Sequence, residues 1–174
     1  KRTVGMYLNK EQLKSILSRI HWTTNMDEIS NSNMVIEAIV ENLEIKQDLF
    51  LQMEPMVSDE CILATNTSSL SVAKIASVCK LKSRIMGIHF FNPVPLMKLV
   101  EIIPTEEANG KLLLEVKSIL KGWGKSVVTA KDTPGFIVNR VARPYYSEAL
   151  RIYEEGIADF ATIDWAMKEF GGFR

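Results

Sequence analysis

Nothing in the 174 residues of this chain approaches the roughly 20 consecutive apolar positions that a bilayer-spanning helix requires. Lys1-Arg2-Thr3-Val4-Gly5 also lacks the apolar core of a signal peptide, so a cytoplasmic protein without a membrane partner is expected. An excess of charge of one sign is missing too. Twenty-one basic residues balance twenty-one acidic ones, which leaves no global field to draw nucleic acid and favours small, locally recognised ligands. Cysteine occurs only at Cys61 and Cys79, in no metal-ligand spacing. Two reduced structural thiols in a reducing compartment, and no metal site, are the expectation. A phosphate-cradling glycine loop is absent as well: Gly122-Trp123-Gly124 precedes a strand pattern instead of opening a helix, and no third glycine follows in place.

The residues that are present have an ordinary globular balance, 47% apolar and 24% charged, sufficient for one core or for one domain and part of another. Asn9 and Gln12 form a reciprocal capping pair ahead of the stripe Leu13, Ile16, Leu17 and Ile20, which predicts an amphipathic helix. His21-Trp22-Thr23-Thr24 is a short extended candidate, and residues 34–40 read as an apolar strand ended by Glu41 and Asn42. Leu43, Lys46, Phe50, Met53 and Val57 then recur at helical spacing. Residues 61–65 are a second buried strand, followed by Asn66-Thr67-Ser68-Ser69 and a small helix capped near Ser71.

Residues 84–88 read as a third strand, Asn92-Pro93-Val94-Pro95 forces the chain out of it, and residues 99–103 form a fourth. A helix through Leu112, Val116 and Leu120 and a strand over residues 126–130 complete an alternating α/β pattern with a largely parallel sheet. After Asp132-Thr133-Pro134-Gly135 no strand pattern returns. Residues 136–155 read as one helix that Pro144 should kink; Gly156 suits its carboxyl cap, and Asp159 caps a further helix. The α/β part is therefore placed at residues 1–131 and the start of a helical domain at 132–174.

Ligands of an open parallel sheet bind at the carboxyl ends of its strands, and four polar clusters fall there: Glu41-Asn42, residues 66–69, residues 89–92 and, across the boundary, Asn139. Taken singly, Ser68 and its neighbours read as a capped turn and Glu41 as a solvated helix start. A polar residue after each successive strand is what a site needs, whereas a purely structural sheet needs only turn formers. His89 stands out because it ends an apolar run, precedes two aromatics that can exclude water, and has Glu101 within reach if the two strands are neighbours. A carboxylate touching an imidazole fixes its tautomer, which makes a general base, although a satisfied core histidine fits the same pattern. His21, beside Trp22 and with no carboxylate in matched context, reads as structural.

Val35-Ile36-Glu37-Ala38-Ile39-Val40-Glu41-Asn42, Asn66-Thr67-Ser68-Ser69-Leu70, His89-Phe90-Phe91-Asn92-Pro93-Val94-Pro95, Lys98-Leu99-Val100-Glu101 and Lys131-Asp132-Thr133-Pro134-Gly135-Phe136-Ile137-Val138-Asn139-Arg140 carry a family resemblance. Over residues 9–174 the chain resembles the NAD-dependent L-3-hydroxyacyl-CoA dehydrogenases, most of all the bacterial 3-hydroxybutyryl-CoA branch. The resemblance implies a partial Rossmann-type NAD-binding domain followed by the first helices of an all-α domain. It implies oxidation of a 3-hydroxyacyl-CoA in fatty-acid β-oxidation or short-chain metabolism, with NAD as cofactor. His89 matches the general base, Glu101 its orienting carboxylate, and Ser68 and Asn139 the residues holding the substrate oxygen. Glu41, Lys46, Ser68 and Asn92 match positions around the cofactor ribose and nicotinamide, and the intact protein is expected to be a homodimer.

Departures from the family pattern lie at both ends. The family's opening strand, glycine loop and ribose-binding acid have no counterpart here, and its CoA-contacting arm is represented only near residues 1–20. A middle fragment of a dehydrogenase, weakly active or inactive by itself, is therefore expected. A non-catalytic binding or assembly module and a related 3-hydroxyacid dehydrogenase are the alternatives.

Overall fold

The computed structural model describes residues 9–173; the part of the expected CoA-contacting arm that falls on residues 1–8 lies outside the described residues. Helix α1 spans Lys10–Leu17 and carries the expected capping box, with Asn9 and Gln12 exchanging hydrogen bonds. It buries no residue. The extended stretch expected at 21–24 forms no ladder strand; a 3-10 helix over Met26–Asn31 follows it, started by the Asn25 side chain on the Asp27 N–H.

Five strands form one sheet in the order β1-β2-β3-β4-β5: Met34–Glu37, Ile62–Thr65, Ile85–Phe90, Leu99–Pro104 and Ser126–Thr129. The β1–β2, β2–β3 and β4–β5 pairs are parallel and β3–β4 is antiparallel, so the largely parallel sheet holds with one reversal. That reversal has a plain cause. The segment between β3 and β4 is too short for a crossover helix, so β4 must return beside β3.

Two boundaries differ from expectation in ways that matter for the site. β1 ends at Glu37 and not at residue 40, because the Glu37 carboxylate accepts the Ile39 N–H at 2.5 Å and turns the chain out of the ladder. β3 runs on through Phe90, so His89 stands within the strand and not in the turn after it. Strand alternation then divides the core. Leu63 and Ile85 pack with Phe50 and Met53 of α2 (Leu43–Met53) and Ile75 and Ala76 of α3 (Val72–Ala76). Ile62, Ala64, Met86, Ile88, Val100 and Ile102 face Val116 and Leu120 of α4 (Gly110–Gly122) on the other side.

Gly87 and Ile103 are register partners on the α3 face, and a Cβ on Gly87 would stand 2.9 Å from Val72 Cγ2 and 3.0 Å from Ile103 Cβ. Glycine thus lets α3 settle directly on β3. Two residues further along the same face, His89 is paired with Glu101. After β5 the chain turns through Gly135 (φ +77°) and Phe136 (φ +46°) into α5, Val138–Glu154, which continues past Pro144. Gly156 (φ +70°) ends it as expected, and Asp159 caps α6, Phe160–Glu169.

Candidate active site

The centre of the site is a cross-strand pair. His89 Nδ1 lies 2.8 Å from Glu101 Oε2, with side-chain exposures of 7% and 0%. A carboxylate only accepts, so Nδ1 carries the hydrogen and the lone pair of the neutral ring is left on Nε2. The second carboxylate oxygen is committed elsewhere: Glu101 Oε1 accepts the N–H groups of Ile137 and Val138, both at 2.9 Å. These are first-turn donors of α5, which have no intrahelical partner. Phe91 covers the imidazole at a centroid distance of 4.6 Å and Phe136 meets it edge-on at 5.7 Å. Phe91 was one of the two aromatics expected to exclude water; Phe90 packs instead on the opposite core.

A second cluster is built on Glu41, and here the reading of Glu41 as a solvated helix start is wrong. Its Oε1 accepts the Thr67 hydroxyl at 2.6 Å, the Ser68 N–H at 2.8 Å, the Ser69 N–H at 3.1 Å and, more loosely, both serine hydroxyls. Partial burial pushes its carboxyl up, but these donors and the nearby Lys46 ammonium outweigh it and hold the pKa down to about 2. Glu41 is thus the anchor of the Ser68 loop, and Asn42, beside it, caps α2 through the Ile45 N–H.

Lys46 is fully buried, unlike a residue waiting at a cleft surface. Its ammonium lies 2.6 Å from Glu37 Oε1, 3.4 Å from Glu41 Oε2 and 3.4 Å from the Ile39 carbonyl. Glu37 Oε2 accepts the Thr65 hydroxyl at 2.7 Å, and Thr65 Oγ1 in turn accepts the Thr67 N–H at 3.2 Å. Glu37, within the segment 35–42 that carries the resemblance, and Thr65 were not singled out as site-supporting residues because each sits among apolar strand residues. The sequence signal was a charged residue where a buried strand needs none.

The remaining candidates occupy the same end of the sheet. Asn139, on the first turn of α5, donates Nδ2 to the Ser68 carbonyl at 3.4 Å, so residues 71 positions apart in the chain meet. Asn66 Oδ1 accepts the Phe90 N–H at 2.8 Å and ties the Ser68 loop to the strand next to His89. Asn92 follows β3 and leads into a cis bond to Pro93; it is exposed. A groove of about 720 Å³ lies away from this site: it runs past Ser71, Thr105, Lys131 and Asp132, and none of the seven candidate residues lines it.

Among the described residues no group of three or more His, Cys, Asp or Glu side chains gathers in a way that could hold a metal ion. Cys61 and Cys79 are free and buried. Burial pushes both thiols up, that of Cys79 to about 11 with Glu54 adding to the effect. His21, read from the sequence as lacking a carboxylate, has one: Glu28 lies 2.8 Å from its Nε2. No helix among the described residues is long and apolar enough to cross a membrane.

Residues 2–133 match the family model described as 3-hydroxyacyl-CoA dehydrogenase, NAD binding domain, and residues 135–174 match the 3-hydroxyacyl-CoA dehydrogenase, C-terminal domain. The chain is 44% identical over 164 residues to the mitochondrial hydroxyacyl-coenzyme A dehydrogenase of Sus scrofa, covering 94% of this chain and 52% of that protein. It is 42% identical over 166 residues to the 3-hydroxybutyryl-CoA dehydrogenase of Clostridioides difficile, covering 95% and 59%. The crystal structure of 3-hydroxybutyryl-CoA dehydrogenase from Escherichia coli K12 superposes with a TM-score of 0.94 at 41% identity, over 99% of this chain and 36% of that one. The chain spans about half the length of the curated relatives it matches.

Proposed function

This chain belongs to the 3-hydroxyacyl-CoA dehydrogenase family, and on that premise we propose that the protein oxidises the 3-hydroxyl of an acyl-CoA to a ketone with NAD as cofactor. The observation that carries this reading is the buried His89–Glu101 pair at 2.8 Å, its carboxylate held from the other side by α5. His89 Nε2 takes the proton of the substrate hydroxyl, and Glu101 keeps the imidazole in the tautomer that can do so. NAD, when bound, supplies the hydride acceptor. Ser68 and Asn139 orient the substrate oxygen from opposite sides of the domain junction.

The cofactor fits the donor set at the strand ends. Glu41 Oε1 is spent on the Ser68 loop, whereas Oε2 faces only the Lys46 ammonium and belongs to a side chain 36% exposed, which leaves it free to accept a ribose hydroxyl. Glu41, Ser68 and Asn92 would hold the nicotinamide end, and the buried Lys46 bears on it through Glu41. Assay of acetoacetyl-CoA reduction by NADH tests the reading. Turnover by the full-length protein that His89→Gln abolishes without loss of NADH binding supports it, and unchanged kcat in that variant overturns it.

The domain division is placed at Lys131, supported by the Ala130 N–H to Ile102 carbonyl bond at 2.9 Å that closes the sheet just before the Pro134–Gly135 turn. A homodimer is inferred for the intact protein, supported by the exposed apolar side chains Val141, Tyr146, Leu150 and Ile157 along α5 and its end. A cytoplasmic site of action in fatty-acid β-oxidation is the further inference, supported by the free buried thiols. Sedimentation and cell fractionation check these two points.

A further inference from the structure

We propose that Asp132 is a positioning residue for the reaction: by gripping Ser71, Val72 and Ala73 across the domain junction, it sets where the Ser68 loop stands against His89 and Asn139. This rests on the dehydrogenase reading above. Asp132 Oδ2 accepts the Ser71 hydroxyl and the Ala73 N–H, both at 2.8 Å, and Oδ1 accepts the Val72 N–H at 3.0 Å. All three donors lie about 60 residues back in the chain, at the start of α3. α3 is only five residues long, too short to hold its own ends. It is also the support on which the Ser68 loop ends.

The contacts close a ring. Going one way from Ser68, the loop leads through Leu70 into Ser71 and the first turn of α3, which is fastened to Asp132. Going the other way, the Ser68 carbonyl accepts from Asn139 on α5, and the chain runs back through Phe136 and Gly135 to Asp132. Glu41 fixes the upstream side of the loop at Thr67, Ser68 and Ser69. The downstream side has Asp132. Val72, gripped by its N–H, is also the side chain seated on Gly87, two residues before His89, in a small buried cluster with Ile103, Ala130 and Phe136. Releasing Asp132 therefore frees the downstream end of the loop, and leaves the 3.4 Å Asn139 contact as its link to the helical part.

Displacement of a positioned group by a fraction of an ångström to an ångström is enough to slow an oriented reaction by about ten- to a hundred-fold. In the full-length protein, Asp132→Ala is expected to lower kcat for acetoacetyl-CoA reduction about ten-fold, and Asp132→Asn, which keeps one acceptor, to recover part of it. In a Ser68→Ala background the same Asp132→Ala change should cost no more than about two-fold, since the hydroxyl it positions is gone. Equal losses in the two backgrounds assign Asp132 a merely structural cap and overturn the proposal. Ser71→Ala, which removes one bond of the three, provides the same cycle with a smaller loss if Asp132→Ala does not fold. Hydrogen exchange gives a readout apart from activity: the Val72 and Ala73 amides should be protected in the parent and exposed in Asp132→Ala. Retained protection there refutes the clasp, whereas a parent with no turnover of any 3-ketoacyl-CoA refutes the dehydrogenase reading itself.

Discussion

Among the described residues two histidine–glutamate pairs have the same separation, and they differ in everything else. His89 and Glu101 approach to 2.8 Å with exposures of 7% and 0%; His21 and Glu28 approach to 2.8 Å with exposures of 77% and 42%. At the surface the two side chains can separate into water at little cost, and such a pair contributes about 0–1 kcal/mol. Inside the sheet, the carboxylate has no water to turn to, its second oxygen is held by two backbone N–H groups, and two aromatic rings close over the imidazole. Distance alone therefore says little about function. What makes a base is a partner that cannot move away and a ring nitrogen left with nothing else to bind.

The largest effect that separates the two pairs is on turnover. His89→Gln in the full-length protein should reduce acetoacetyl-CoA reduction by about 10³-fold or more, since general acid–base catalysis contributes roughly 10²–10⁴. Stopped-flow rates with NADH measure this, with NADH fluorescence titration showing that the cofactor still binds. A third pair, Lys46 with Glu37, measures what burial of an ion pair means for stability. Lys46→Met leaves the Glu37 carboxylate without its ammonium inside the protein, and should lower unfolding free energy by about 3–5 kcal/mol in urea melts.

Glu41 gives a pH signature. Its pKa is lowered in the fold from 4.5 to about 2, so the stability it contributes is complete above pH 4.5 and is lost as pH falls through about 2. The stability difference between the parent and Glu41→Gln should therefore be constant above about pH 5 and close on acidification, followed by denaturant midpoints across that range. A gap that instead widened on acidification would reverse the assignment of Glu41 as the loop's anchor. The smallest effect belongs to the surface pair: His21→Ala should leave turnover unchanged and shift stability by no more than about 0.5 kcal/mol. A large kinetic loss at His21 would collapse the contrast.

Local rules made much of the fold legible. Asn9 with Gln12, Ser71, Gly156 and Asp159 each stop or start a helix where the sequence places them, because a cap is a contact between residues within three or four positions. The five strands and their interleaved helices follow from apolar runs and spacing. The direct pairing of His89 with Glu101 was readable only as a condition, since register depends on which strands become neighbours. The anchoring role of Glu41 was illegible for a related reason: its partners Thr67, Ser68 and Ser69 lie 26 to 28 residues away, and a carboxylate at a helix start, taken singly, looks solvated until a second loop arrives. The Glu37–Lys46 pair was illegible in the same way, being made by side chains nine residues apart that turn inward together.

Glu101 has a consequence beyond its place in the dyad. One oxygen is set by the imidazole and the other by the start of α5, so one set of side-chain torsions is shared by the ring and the helix. A swing of α5 relative to the sheet must either break two backbone bonds or rotate the carboxylate plane, and with it the ring. The imidazole is in effect a gauge of the angle between α5 and the sheet, and its nitrogen resonances should register a swing of that helix even when no substrate is bound.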